Sequence, residues 1–166
     1  LLSGFTTQTV IPGSALDKAL PSRQNVAYRK FGLLFVPIKA DKEDFVFVWL
    51  NEAVTEDRSK YLDGNELPNA YQSYDEEMRI YNLLKVSGQR GIQEDLFLKA
   101  YAEDYDPSKP GKERMAHLKQ LFRAIKQAYP DHSNILVQLE ELMKNKKFVE
   151  AEEYMEQIRK HYQNKI

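Results

Sequence analysis

An α+β fold is expected for this chain: an N-terminal extended arm, a small β-hairpin or sheet, then about five helices with a helix hairpin at the C-terminus. Three observations predict it. Residues 28–50 contain two aromatic and β-branched runs, YRKFGLLFVPI and FVFVWL, on either side of the charged KADKED. Residues 112–162 repeat apolar side chains at helical spacing, while residues 1–27 show no sustained period. The 166 residues suit one domain, and a chain of this size buries roughly two-thirds of its unfolded surface.

Residues 1–27 are punctuated by Pro12, Gly13 and Pro21 and read as an arm with one helical turn at Ser14–Leu20. Residues 28–166 read as a single globular domain, β-rich over 28–70 and helical over 73–166. The two apolar runs predict a β-hairpin closed by the charged connection. In FVFVWL, Phe45, Phe47 and Trp49 alternate with Val46, Val48 and Leu50, so a strand here would be covered on both faces. Pro37 lacks an N–H and marks a strand end or an edge. Residues 51–72 carry turn signals, Asp63-Gly64-Asn65 and Pro68 among them.

Ser73-x-x-Glu76 has the form of a capping box. It opens a helix with Tyr74, Met78, Tyr81 and Leu84 or Lys85 in register, closed by Gly88 and Gly91. A second helix is expected over Ile92–Asp104 with Leu96, Phe97 and Ala100 inward, followed by the linker DYDPSKPG. The third runs over Lys112–Tyr129, where Met115, Leu118, Phe122, Ile125 and Tyr129 follow a 3-4-3-4 spacing, and Pro130 stops it. The fourth carries Ile135, Leu139 and Leu142. The fifth carries Phe148, Ala151, Met155, Ile158 and Tyr162.

Asn134 to Tyr162 thus forms a helical hairpin: NILVQLEELMKN, a short basic turn, then FVEAEEYMEQIRKHY. Ile135 and Leu142 are large residues of the first helix, Phe148 is an aromatic opening the second, and Ala151 is small where the helices approach. Pro130 follows Ala128-Tyr129 as a closing proline. These residues resemble a single tetratricopeptide unit. The pattern departs at Leu139, where that family prefers glycine or alanine, and at Lys146, where glycine usually makes the turn. No second copy follows at a spacing of about 34 residues. The resemblance implies a helix hairpin of protein-interaction type and carries over no binding residue.

Composition narrows the chemistry. The chain has no cysteine, so disulfides, thiolate metal sites, iron–sulfur clusters and cysteine nucleophiles are excluded. No run approaches the ~20 apolar residues of a membrane helix, so no membrane insertion is expected and the chain reads as soluble. Leu1 in place of methionine is expected of a chain processed at its N-terminus. Net charge is −1 but segregated: five basic and one acidic side chain in residues 1–40, seven and sixteen in 41–106, twelve and eight in 107–166, or +4, −9 and +4. Such segregation steers partners at long range.

No phosphate-binding, dinucleotide-binding or nucleophile-elbow glycine motif occurs, and no catalytic residue, metal site or cofactor is expected. His117, His132 and His161 have no ligand spacing and read as structural. Asp63-Gly64-Asn65-Glu66 hints at a calcium loop, but Ala70 stands where the bidentate glutamate belongs, which leaves a turn. Glu76-Glu77, Glu140-Glu141 and Glu152-Glu153 diverge by roughly 100° on a helix and read as solvated faces. Arg90, between Gly88 and Gly91, is a candidate anion contact.

Three function readings stand. The first is a non-enzymatic interaction or assembly subunit that binds other protein subunits through the arm (Phe5, Val10, Ile11, Arg23) and exposed parts of the hairpin (Tyr154, Arg159, Tyr162). The second is a nucleic-acid-contacting accessory protein using the basic arm and Lys144, Lys146 and Lys147; the FVFVWL rings could stack on bases but read as core. The third is an enzyme with a divergent carboxylate site around Asp57, Asp63 and Glu66.

Overall fold

A hairpin forms inside the first apolar run, and Gly32 is the reason. In the computed structural model of the protein, β1 (Val10–Pro12), β2 (Ala27–Phe31) and β3 (Leu34–Pro37) make a three-stranded antiparallel sheet in the order β1-β2-β3. The structure describes residues 10–12, 27–37, 45–63, 74–103, 108 and 115–164. Phe31 pairs with Leu34, so Gly32 and Leu33 alone join β2 to β3. Gly32 takes φ 62°, the left-handed value that a tight hairpin turn demands and that glycine adopts without a Cβ penalty. A Cβ there would also run into Asn51 Oδ1 and the Tyr101 ring. Pro37 is the last residue of β3, as its missing N–H requires.

Part of the sequence-read arm belongs to this sheet. Val10, Ile11 and Pro12 pair with Arg29, Tyr28 and Ala27. Phe5, Arg23 and the turn expected at Ser14–Leu20 lie outside the described residues.

FVFVWL is not the second strand of the hairpin, which corrects the expectation above. Val46 makes a single bridge to Phe35, with reciprocal N–H···O contacts of 3.0 and 2.9 Å. Pairing stops because Phe47 takes φ 62° and directs its N–H to Glu140, at 3.1 and 3.2 Å from the two carboxylate oxygens. Helix α1 (Val48–Asp63) starts there, and the Asn51 N–H reaches Phe47 O at 2.9 Å. Trp49, Leu50, Ala53 and Val54 recur at helical spacing and are buried, while Val48 is 40% exposed. A helix thus sorts a run that is apolar on both strand faces, and residues read as turn continue it.

Five further helices follow among the described residues: α2 (Asp75–Val86), α3 (Glu94–Ala102), α4 (Ala116–Ala128), α5 (Ile135–Lys144) and α6 (Phe148–Gln163). Ser73 of the expected capping box lies outside the described residues. The cap position Tyr74 makes no side-chain cap bond, and Asp75, Glu76 and Glu77 place negative charge in the first turn, where the helix dipole favours it. Helix α4 is started from a distance: the Glu103 carboxylate accepts the N–H groups of His117 and Leu118 at 2.8 and 3.0 Å.

Helix α1 packs against α2, α3, α5 and β3; α3 packs on α4, and α6 on α2 and α5. One core joins the sheet to the helices, with Tyr28, Phe35, Phe47, Tyr81 and Phe97 in edge-to-face contacts of 5.0 to 6.5 Å between ring centroids. Two polar ties fix the sheet in place. Lys30 Nζ donates to Glu103 O at 2.6 Å beyond the C-terminus of α3, and the Leu33 N–H donates to Asn51 Oδ1 at 2.9 Å. Among the described residues no helix is long and apolar enough to cross a membrane.

The turn from α5 to α6 closes as a Schellman motif: Lys146 N–H bonds Met143 O at 3.1 Å and Lys147 N–H bonds Leu142 O at 2.9 Å. Lys146 takes φ 57°. Lys146→Gly is therefore expected to be more stable than Lys146→Ala by about 1 kcal/mol, because both lose the ammonium but only glycine loses the strained Cβ. Urea midpoints at unchanged slope measure the difference. An alanine variant as stable as the glycine variant would mean the turn carries no strain.

Candidate functional site

The hairpin turn does not project freely. Together with Phe45 and the first turns of α1 and α2 it encloses a cleft of about 800 Å³. Phe45, Trp49 and Phe148 supply aromatic wall; Glu52, Glu77, Glu140 and Glu141 supply carboxylates; Lys144 and Lys146 supply cations. The volume lies within the range of small-ligand and side-chain pockets.

The four carboxylates come from three helices. Glu140, on α5, is 8% exposed and holds the Phe47 N–H. That bond sets where α1 begins, and Trp49 and Glu52 lie in its first turns. Glu77 comes from the first turn of α2. Partial burial raises the Glu52 carboxyl above the ordinary glutamate range, with the Glu77 charge adding to it and Lys146 opposing it. Burial likewise raises Glu77, helped by the charges of Glu76 and Asp75 and opposed by its own backbone N–H and Lys146. Two carboxyls pushed the same way in one cleft mark a candidate functional site.

Two residues of the cleft wall also carry polar atoms that are closed to solvent and without partners. Trp49 Nε1, a donor, and Glu77 Oε1, an acceptor, are buried with no hydrogen-bond partner among the described residues. Each such atom costs on the order of 1–3 kcal/mol unless something satisfies it. Among the described residues no three His, Asp or Glu side chains gather as a metal site.

The residues expected from the sequence are distributed unevenly around this site. Lys144 and Lys146 line the cleft, and Lys147 is the exposed cap position of α6. Their positive field is offset by four neighbouring carboxylates. Tyr162 is not an exposed contact: it is 4% exposed, and its hydroxyl accepts the Asp131 N–H at 3.0 Å and meets His132 Nδ1 at 2.8 Å. The last turn of α6 tucks under the α4–α5 corner, which buries the ring edge-on against Tyr129 at 5.7 Å. Tyr154 is half-buried, and that burial raises its phenol. Arg159 is half-exposed and spans Glu156, one turn back, at 2.7 and 3.1 Å. Val10 and Ile11 are paired in β1.

The expected carboxylate cluster of Asp57, Asp63 and Glu66 is described only in part. Asp57 is half-buried beside Tyr81 and Glu94, Asp63 ends α1, and Glu66 lies outside the described residues. Of the FVFVWL rings, Phe47 and Trp49 sit in the core, as expected, at 1% and 3% exposure. His161 meets Asp131 at 2.9 Å, and the His117 N–H serves the start of α4.

The chain matches no known protein family, no curated protein and no solved structure in these comparisons.

Glu52 was missed because its segment reads as a turn, and Glu77 because only its divergence from Glu76 is visible in the sequence. The helical spacing of Trp49, Leu50, Ala53 and Val54 is the signal that places Glu52 on a helix beside Trp49.

Proposed function

We propose that the protein is a non-enzymatic interaction subunit that binds partner proteins, and that the cleft at its hairpin turn receives a lysine or arginine side chain of the partner. The gathering of Glu52, Glu77, Glu140 and Glu141 beside the rings of Phe45 and Phe148 in one cleft carries this reading. A cationic side chain supplies donors for the Glu52 and Glu77 carboxylates. The aromatic wall covers the methylene stem of such a side chain. The flank of α6 with Tyr154 and Arg159, and the arm with Phe5, Val10, Ile11 and Arg23, would extend the interface.

Labelled alanine-based peptides bearing one arginine test this by fluorescence anisotropy. Binding is expected to tighten as pH rises above the ordinary glutamate range, because only the ionised carboxylates attract the cation and both ionise late. The double variant Glu52→Gln, Glu77→Gln is expected to lose at least about tenfold in affinity with the fold retained by circular dichroism. Equal binding of a glutamate-bearing peptide, or an indifferent double variant, would sink the proposal.

The enzyme reading keeps one specific support, the raised Glu52 and Glu77 carboxyls, which suit general acid–base chemistry at a different pair from the one expected. Substrate turnover abolished by either single glutamine variant would favour it. For the nucleic-acid reading, Lys144, Lys146 and Lys147 must overcome the adjacent carboxylates, and binding must weaken with salt.

A further inference from the structure

A second surface has the opposite sign. Arg90, Arg123 and Lys126 surround a depression of about 580 Å³ that no Asp or Glu lines among the described residues. None of the three makes an ion pair among the described residues. Arg123 and Lys126 stand three residues apart on one face of α4. Arg90 is brought beside them by the loop after α2. Gly88 lets that loop lie directly on the α4 backbone: a Cβ there would come within 2.5 Å of Ala128 O. Gln89 then anchors it, with its N–H on Ala128 O at 2.8 Å and its side-chain amide on Gln127 O at 2.9 Å. Three like charges are thus held together by fixed backbone from two elements, and nothing described neutralises them.

A trench of about 200 Å³ adjoins the depression and shares Arg123, Lys126 and Ser133 with it. Phe122, Ile125, Ile135 and Leu136 give it apolar lining. Its size suits one bulky side chain.

We infer that this surface binds an acidic segment of a partner protein, with Asp and Glu side chains on Arg90, Arg123 and Lys126 and one apolar side chain seated in the trench. Arginines take carboxylates in bidentate fashion, and no acid among the described residues lines the depression to contest that geometry. A protein segment fits better than a nucleic acid because single strands want exposed rings for base stacking, and Phe122, the aromatic ring of the trench apart from His132, is 8% exposed. The inference rests on the protein being an interaction subunit but not on the cation cleft at the hairpin turn, so the two sites fail separately.

The test uses the full chain and a panel of labelled nonapeptides of Asp and Glu with one Phe moved through the nine positions. Binding by at least one member is expected. It should weaken at least about tenfold when that Phe becomes Ser, vanish in Arg123→Glu, Lys126→Glu, and fade as salt rises. The variant Glu52→Gln, Glu77→Gln should bind as the parent does. Arg123 and Lys126 are exposed, so circular dichroism should show an unchanged fold in the charge-reversed chain. Three results overturn the inference: no panel member binds, binding survives the charge reversal, or a labelled oligouridylate of equal charge binds more tightly than every peptide. If peptide binding vanishes in the Glu52, Glu77 variant instead, the cleft rather than this surface is the receptor.

Discussion

Glu140→Ala is expected to cost about 3 kcal/mol and to lower the melting temperature by about 6–12 °C. Both Glu140 oxygens lie at hydrogen-bond distance from the Phe47 N–H, at 3.1 and 3.2 Å, in a buried setting. Alanine removes the acceptor and strands a buried N–H, which costs near the top of the range for an unsatisfied buried donor. It also frees Phe47, whose φ of 62° persists because its surroundings over-determine it. Glu140→Gln keeps an acceptor at the same place and is expected to cost only about 1 kcal/mol. Urea unfolding separates the two variants. Trp49 is the sole tryptophan, and its emission should shift to the red in the alanine variant as the start of α1 loosens. If alanine proves no worse than glutamine, Glu140 does not hold the turn, and the positioning of Trp49 and Glu52 in the cleft needs another cause.

That bond also explains why the sequence is legible in some places and not in others. The stripes Met115, Leu118, Phe122, Ile125, Tyr129 and Ala151, Met155, Ile158, Tyr162 are all buried as their spacing predicts. A helical period is a local property, and any core on one side of the helix satisfies it. FVFVWL is different. Its alternation is compatible with a strand, yet the conformation of Phe47 is set by a carboxylate 93 residues away. Gly32 offered a nearer hairpin signal, a glycine between two apolar runs at the first position of a two-residue turn. The cleft was the least legible part. Glu52 and Glu77 belong to different helices, and their meeting is a consequence of packing that no spacing along the chain records. The basic turn was visible, but its acidic surroundings were not. Tyr162 was visible as an apolar-stripe residue and as a surface aromatic at once, and the tuck of α6 under the α4–α5 corner decided between them.

Tyr129→Ala should be the most damaging single truncation of the helical region, at about 4 kcal/mol. Tyr129 is fully buried at the end of α4. Its ring packs edge-on to Tyr162 near the end of α6, and its hydroxyl donates to Leu84 O near the end of α2. Three helix ends thus converge on one side chain, and alanine removes the ring packing and the hydrogen bond together. Tyr129→Phe removes the hydroxyl alone and is expected to cost about 1–1.5 kcal/mol, since the Leu84 carbonyl is left to find another donor. Burial raises the Tyr129 phenol well above its ordinary pKa of 10.0, with the Ser87 backbone N–H opposing the rise and the Tyr162 charge adding to it. The unfolded chain releases this proton first, so stability should fall as pH climbs above about 10. Tyr129→Phe should make that fall shallower but not remove it, because Tyr81 and Tyr154 are raised in the same direction. Denaturant unfolding of parent and phenylalanine variant across the alkaline range measures both effects. Parallel pH profiles would show that the Tyr129 hydroxyl titrates alike in the folded and unfolded chains, and the three-helix junction would then rest on ring packing alone.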